Sequence, residues 1–372
     1  MTRPSRERAG VQYVFDRAPL RVYWELTRAC DLACRHCRAE AIPVRDPREL
    51  SLAEGRAFLE ALRELDGAGP HLVLTGGDPL KRPDFWDLLE HAAALGLDVA
   101  VAPSGTPALT PDVVHRLKQA GARAMSLSLD GADAARHDGF RGVPGCFART
   151  LEAARAAVDE GLALQVNTLV TADTLGELPA LDGLVGQLGA TRWSLFFLIQ
   201  VGRGRVLRQL TPAACERLLQ WVWVRSRRAG FQMTTTEAPH YRRVALQRMR
   251  AENHDRDAIR RAPIRRGFGI RDGNGIMFVS HTGEVQPSGF LPLVAGNVRT
   301  ASALEIYRDA PLFQRLRQPA GFHGRCGRCE FREICGGSRA RAYAANGDPF
   351  GEDPLCAYEP ALPRAAGAEA GA

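Results

Sequence analysis

Three cysteines stand within eight residues in Cys30-Asp-Leu-Ala-Cys34-Arg-His36-Cys37. Thiolates are the usual protein ligands of iron–sulfur clusters. Three of them in one loop can grip three irons of a cubane and leave the fourth without a protein ligand. A small molecule can chelate that open iron through an amine and a carboxylate, and an electron from the cluster can then break a bond within it. Structural zinc usually takes four ligands from two separated pairs, which a single CxxxCxxC does not supply. A second set, Cys326, Cys329, Cys335 and Cys356, has the spacing C-x2-C-x5-C followed by twenty residues and a fourth cysteine. Four thiolates fully ligate either a cubane or a zinc ion, and spacing alone leaves both open. The remaining two, Cys146 and Cys215, fall in or beside helix patterns and read as small buried hydrophobes.

The elements that must hold these loops are legible as an alternation. Strand patterns cover Leu20–Thr27, His71–Thr75, Asp98–Pro103, Ala124–Asp130, Ala163–Val170 and Arg192–Gln200. Amphipathic patterns lie between and after them, over Leu52–Leu65, Pro83–Leu95, Pro111–Ala120, Cys146–Glu160, Leu175–Leu188 and Pro212–Arg228. Such repetition predicts an α/β fold with a parallel sheet and helices outside. Six units suggest a partial (β/α)6 TIM-like barrel, with its chemistry at the C-terminal ends of the strands. The first cysteine loop directly follows the first strand. Thr75-Gly76-Gly77-Asp78-Pro79 follows the second, where glycines let the backbone approach a ligand closely. Ser126, Ser128 and Asp130 share one face of the fourth strand and Asn167 points inward on the fifth, all needing polar partners if buried. Gly202 lies in Val-Gly-Arg-Gly after the sixth.

Beyond residue 230 the pattern changes. A further strand, Phe231–Thr236, leads into an Arg-rich, poorly periodic segment, Tyr241–Arg266. A hairpin follows, Gly275–Ser280 with Glu284–Pro287, then a short helix, Ala303–Leu316, before the second cysteines. The expected division is an N-terminal extension (1–19), the barrel (20–230), a connecting segment (231–274), a C-terminal cysteine module (275–361) and a disordered Ala/Gly-rich tail (362–372).

The motif CxxxCxφC, with His36 at φ, resembles the signature of the radical S-adenosylmethionine (SAM) superfamily. The resemblance implies a SAM-cleaving [4Fe–4S] cluster on Cys30, Cys34 and Cys37, and release of a 5′-deoxyadenosyl radical that abstracts a substrate hydrogen. It implies that His36 lies at the adenine and that Gly76, Gly77 and Asp78 form the family's "GGE" motif, whose backbone receives the SAM amino group. Ser126, Ser128, Asp130 and Asn167 then become contacts of the ribose and carboxylate, and Gly202 lies near the adenine. The stretch SLDG…RHDGFRG resembles the SPASM-containing subgroup, whose C-terminal module carries two auxiliary [4Fe–4S] clusters on CxxCx5CxxxC and a more distant cysteine. This chain departs from it twice. Arg339 stands where the CxxxC cysteine would be, and Ser288 where another ligand would be. One auxiliary cluster is therefore expected, on Cys326, Cys329, Cys335 and Cys356, acting as an electron conduit.

Residues Gly283–Arg299 together with Cys326–Cys356 look most like the radical SAM enzymes of alternative heme biosynthesis, an enzyme of oxidoreductase or lyase type acting on tetrapyrrole propionates. Hydrogen abstraction from the β-carbon, followed by loss of an electron and CO2, would leave a vinyl group. Arginines bind carboxylates bidentately, and Arg328, Arg332, Arg339 and Arg341 crowd the second cysteines as candidate anchors or as surface residues. Glu237, His240 and Tyr241, after the strand at the barrel's end, are candidates for proton transfer or radical control. A maturase of a ribosomally made precursor peptide is the rival reading, and a non-catalytic iron–sulfur electron carrier a more distant one. The resemblance also implies a reductase, flavodoxin or ferredoxin as electron donor.

Bulk properties agree with a folded enzyme of 372 residues, 45% hydrophobic and 24% charged. The net charge of +7 comes mostly from scattered Arg, which suits a solvated surface or an acidic substrate. No basic block is interleaved with aromatics for nucleic acid. No apolar run reaches the roughly 18 residues that span a bilayer. No secretory h-region follows MTRPSRERAG, so a cytoplasmic location is expected.

Overall fold

The computed structural model describes residues 15–63 and 69–361. Most of the expected N-terminal extension (residues 1–14) and the expected tail (residues 362–372) lie outside them. Seven parallel strands are neighbours in chain order: β1 (Arg21–Glu25), β2 (His71–Thr75), β3 (Asp98–Val101), β4 (Ala124–Ser128), β5 (Ala163–Val170), β6 (Arg192–Phe197) and β7 (Gln232–Thr236). The crossover helices are α1 (Leu52–Arg63), α2 (Phe85–Ala94), α3 (Pro111–Gln119), α4 (Ala134–Arg141), α5 (Cys146–Asp159), α6 (Leu178–Gln187) and α7 (Pro212–Ser226). Thr110 and Thr211 cap α3 and α7 with their hydroxyls, each followed by a proline in the first turn, as helix starts favour.

Strand alternation sorts the side chains. Val22 and Trp24 of β1 are fully buried toward the helices, where Trp24 meets Phe58 of α1 edge-on at 5.1 Å. Arg21, Tyr23 and Glu25 therefore face the other way, into the barrel. On β6, Trp193 packs outward on Trp221 and Phe231, which leaves Arg192, Ser194 and Phe196 inside. The interior is polar. Ser128, Asn167, Ser194 and Thr234 stand in register across four strands, above a second row of Ser126, Gln165, Arg192 and Gln232. Most of these residues are only half-buried although they lie within the sheet's concave side, so they face open space and not a packed core.

The structure sharpens or corrects several sequence expectations. The further strand expected over Phe231–Thr236 forms β7, which hydrogen-bonds in parallel to β6 over Arg192–Phe196 and so extends the barrel sheet past residue 230. The segment Tyr241–Arg266 is largely helical, forming α8 (His240–Ala251) and α9 (Arg256–Arg261). Its arginines masked an apolar face of Tyr241, Val244, Ala245 and Met249. The hairpin of β9 (Gly275–Val279) and β10 (Glu284–Gln286) is not set apart from the barrel. The strand β9 pairs in parallel with β1, and β8 (Arg271–Asp272) and β11 (Gly296–Asn297) join the same sheet. The helix expected over Ala303–Leu316 is broken into α10 (Ala303–Asp309) and α11 (Pro311–Leu316), since Pro311 has no N–H to continue the ladder. Two short helices follow, α12 (Gly324–Arg328) and α13 (Arg339–Asn346). Among the described residues no helix is long and apolar enough to cross a membrane.

Candidate active site at the strand ends

The first cysteine loop leaves β1 and is fastened on three sides. Gly77 and Asp78 donate backbone N–H groups to Thr27 and Ala29 carbonyls at 2.7 and 2.8 Å. Ala33 and Arg35 donate to the Arg141 and Phe140 carbonyls of α4, and Arg203 donates to the Cys37 carbonyl at 3.1 Å. The glycines serve this fastening. A Cβ on Gly76 would lie 2.5 Å from the Thr27 oxygen, on Gly77 2.5 Å from that of Ala29, and on Gly202 2.5 Å from that of Cys37. The close approach expected toward a ligand is thus, for the Cβ positions, an approach to the cysteine loop itself. Asp78 is likewise turned inward. Its carboxylate is buried and accepts from the Leu80 N–H, the Ser104 N–H and the Thr106 hydroxyl, so the side chain is committed to holding the turn.

Cys30 and Cys34 pack in one small cluster with Leu32 and Cys146, against Cys37, Ala41 and Val143. Each ligand-candidate sulfur receives a donor: Leu32 N–H to Cys30 at 3.4 Å, Ala41 N–H to Cys37 at 3.3 Å, and the Arg141 guanidinium to Cys34 at 3.6 Å. Burial pushes the Cys30 thiol up to about 11, so a thiolate there needs a nearby positive centre such as iron. Among the described residues no three His, Cys, Asp or Glu side chains converge as ligands of a single metal ion. A zinc with bonds of about 2.3 Å demands that convergence, whereas the corners of a cubane hold their sulfurs farther apart. Three thiols gathered in one loop, each supplied with a hydrogen-bond donor, are the ligand set that a cubane with one open corner requires.

His36 stacks on Phe140 with ring centroids 4.9 Å apart. Burial first, then the charge of Arg141, pulls its imidazole down to about 4, so the ring is neutral at pH 7. Asp130, expected as a cofactor contact, is corrected. It is buried, ion-paired with Arg141, and accepts the Leu169 N–H at 2.7 Å. Its task is to hold the Arg141 guanidinium against Cys34. Ser126, Ser128 and Asn167 do face the interior, half-buried, with Asn167 accepting from Gln165 at 2.8 Å. Sequence reasoning missed Phe140 and Arg141 as individual residues. The signal was RHDGFRG, whose His137 accepts the Asp130 N–H at 3.2 Å and whose Asp138 takes the Gly145 and Phe147 N–H groups at the start of α5.

The second cysteines line one cavity, shared with His240, Arg243, Phe331, Asp353 and Tyr358. Their sulfurs are also supplied with donors: Phe331 N–H to Cys329 at 3.4 Å, Gly337 N–H to Cys335 at 3.5 Å, and both Asp353 N–H and the Arg339 guanidinium to Cys326 at 3.4 Å. Gly336 and Gly337 both have left-handed φ, and a Cβ on Gly337 would sit 3.0 Å from the Cys326 sulfur, so only glycine turns the chain there. Burial pushes Cys335 up to about 12 and Cys356 to about 11. Cys146 and Cys215 are buried in their helices as expected, each 1% exposed.

Two of the four arginine anchors expected here are corrected. Arg339 is fully buried and donates to the Pro349 and Gly351 carbonyls at 3.1 and 2.6 Å. Arg341 is fully buried on Asp353 and on the Leu198 and Glu237 carbonyls. Both brace the module and neither is free for a substrate. Arg332 donates to the Gly327 carbonyl at 3.0 Å, and Arg328 lies 3.9 Å from Glu359.

The three candidates after β7 separate in space. Tyr241 is buried between helices with its hydroxyl 3.2 Å from Ser226 of α7 and is not among the residues that line the second cysteine cavity, so its expected role is withdrawn. His240 lines the second cavity with Nε2 3.0 Å from Asp353. Burial opposes it, but Arg341 and His240 hold the Asp353 carboxyl far below its usual range. Glu237 sits at the end of β7 in a left-handed conformation, φ 58°, a strain that persists only where surroundings impose it. Its carboxyl group meets the Ser338 hydroxyl and lies beside Asp272.

A model of the "Radical SAM superfamily" matches residues 24–180. The "AdoMet-dependent heme synthase" of Nitratidesulfovibrio vulgaris is 38% identical over 348 residues, 91% of this chain and 92% of that one. The protein of the same description from Methanosarcina barkeri is 38% identical over 92% of this chain and 97% of its own. Among solved structures, Streptococcus suis SuiB bound to S-adenosylmethionine superposes with a TM-score of 0.70 at 17% identity, over 92% of this chain and 78% of that one, which speaks to the fold. With whole-length relatives of this kind, and three donor-supplied cysteines at the head of the first barrel strand, the chain belongs to the radical SAM superfamily.

Proposed function

We propose that this radical SAM enzyme converts propionate side chains of a tetrapyrrole to vinyl groups. When bound at Cys30, Cys34 and Cys37, the cluster supplies the electron that splits SAM and yields the 5′-deoxyadenosyl radical. The polar row of Ser128, Asn167, Ser194 and Thr234 offers hydroxyl and amide partners for the bound cosubstrate below the loop, and neutral His36 offers its backbone and ring edge beside the adenine. Removal of a β-hydrogen leaves a substrate radical, and vinyl formation then requires that one electron and CO2 depart. The observation that carries the reading is the second four-cysteine cavity, linked to the barrel end through the Asp353–Arg341–Glu237 hydrogen bonds. A second [4Fe–4S] cluster there would provide the acceptor for that electron. Arg339 and buried Ser288, which stand at the places of two expected ligands, leave no third set of cysteines in the sequence. Nine free thiols suit a reducing compartment such as the cytoplasm, with a flavodoxin, ferredoxin or reductase as donor. Anaerobically reconstituted protein given SAM, reductant and iron coproporphyrin III should yield products that have lost CO2 and two hydrogens per converted side chain, read by mass spectrometry. SAM cleavage that leaves the porphyrin mass unchanged, but alters a small precursor peptide, would replace this reading with the peptide one.

Glu237 is the acid that this reading assigns to proton handling near the barrel end. Asp272 takes the Arg339 and Ala340 N–H groups on one oxygen, and its other oxygen is buried with no hydrogen-bond partner. A protonated Glu237 beside it would satisfy that oxygen. Burial, and next the charge of Asp272, raise the Glu237 carboxyl well above its ordinary value; Arg341 opposes this, and Arg242 also faces it. An acid whose folded value is raised stabilises the fold fully below its unfolded value and loses that contribution as pH rises through the folded one. Stability should therefore fall above about pH 4.5 by about 1.4 kcal/mol per pH unit until Glu237 ionises. Glu237→Gln should flatten that decline in urea melts of cluster-loaded protein between pH 5 and 8. An unaltered slope would show that Glu237 is ionised in the native state.

A further inference from the structure

Arginines inside a barrel need partners, and three here form no ion pair among the described residues. Arg21 opens β1 with its side chain inward, half-buried, and its guanidinium has no hydrogen-bond or ion-pair partner among the described residues. Its electrostatic neighbours are Arg192 and Arg242. Arg192, inward on β6, is steadied by two neutral amides, Gln232 at 3.1 Å and Gln165 at 3.2 Å. Arg242 of α8 donates to the Ile334 carbonyl at 3.4 Å and has Cys335 and Glu237 among its electrostatic neighbours. The acids nearby have other partners. Asp98, two strands from Arg21 in the same row, pairs with His71 at 3.0 Å, and the Glu237 carboxyl meets the Ser338 hydroxyl, its ionisation opposed by burial and by the charge of Asp272. Burial, then the charge of Arg21, pull Arg192 below its ordinary value, as like charges sheltered from water must.

We propose that Arg21, Arg192 and Arg242 form a carboxylate-binding floor of the barrel that holds the substrate's unreacting propionates, a site that rests on the tetrapyrrole reading for the identity of its ligand. Guanidinium forks match carboxylates bidentately, and the match is strongest where water is excluded. Arg21 lies four residues before the end of β1, about 13 Å below the cysteine loop at strand rise. A compact monoacid placed under the loop would not reach that depth. A macrocycle with carboxylates around its rim presents one side chain above while another meets the floor. Tyr23, the next inward residue of β1 and an electrostatic neighbour of Arg192, lines the space between.

The test is fluorescence titration of full-length, cluster-loaded protein with metal-free coproporphyrin III and with its tetramethyl ester, without SAM or reductant. Wild type should bind the acid at least 30-fold more tightly than the ester. Arg21→Gln and Arg192→Gln should each weaken the acid roughly 10- to 100-fold and leave the ester unchanged. Arg21→Lys should recover part of the loss, and comparison is made between proteins of equal iron content and equal cluster absorption. Equal binding of the acid by wild type and both glutamine variants would overturn the floor while leaving the tetrapyrrole reading in place. Failure of wild type to bind either porphyrin would overturn that reading instead. In that case thermal shift with citrate decides the floor: stabilisation lost in Arg21→Gln retains it, and no stabilisation of wild type refutes it.

Discussion

Cys34→Ala protein, reconstituted anaerobically, should form no detectable 5′-deoxyadenosine and should hold about four irons per chain where wild type holds about eight, four per cubane. The argument is local. Cys34 is one of three candidate ligands, 8% exposed, and its sulfur is the one that faces the Arg141 guanidinium. Without that thiolate only two ligands remain in the loop, and no other cysteine can replace it in kind. Cys146 packs in the same cluster but is fixed at the first turn of α5, with its sulfur 3.9 Å from the Thr150 hydroxyl. Removing Cys34 also leaves Arg141 with Asp130 alone, an ion pair buried on both sides. That pair stays satisfied, so the loss should appear in iron content and turnover while the fold persists. Retained SAM cleavage would show that the loop does not hold the reacting cluster. About twelve irons in wild type would show a further cluster despite Arg339 and Ser288.

What could be read from the sequence divides along physical lines. Spacing along the chain is local, so both cysteine sets and the strand patterns stood out. The inward faces of β4 and β5 followed from alternation, and the structure puts Ser126, Ser128 and Asn167 there. Alternation says nothing of what a side chain meets across space. Asp130 shares that face, yet its partner Arg141 arrives from α4, a helix of eight residues whose buried side is His137, Phe140 and Arg141. No apolar stripe marks such a helix. The same blindness misplaced Arg339 and Arg341. A charged residue is expected outside, but these two open α13, where buried carbonyls and Asp353 satisfy them. Tyr241 failed for a different reason. Its nearness in sequence to the end of β7 suggested a barrel position, whereas the helix turn that begins at His240 sends its side chain toward α7. Sheet continuity through β9 was also hidden, since its pairing with β1 joins residues more than 250 apart.

Cys329→Ala should uncouple the two halves of the reaction. Cys329 lies just past α12 in the second cavity, whose lining residues include none from the first cysteine loop. SAM cleavage should therefore continue, while tetrapyrrole product falls by roughly two orders of magnitude, about 2.7 kcal/mol of barrier. The size follows from what the substitution leaves behind. Three thiolates in a cavity whose sulfurs are otherwise matched one by one with N–H donors cannot fully ligate a second cubane, and electron removal from the substrate radical then has no acceptor at the site. The outcomes separate the readings. If cleavage and product both vanish, the second cavity is needed for folding and not for electron removal. If both persist, the cavity has no part in turnover. Only loss of product with continued formation of 5′-deoxyadenosine assigns the two cysteine sets to successive tasks: Cys30, Cys34 and Cys37 to making the radical, and Cys326, Cys329, Cys335 and Cys356 to disposing of the electron that the radical leaves behind.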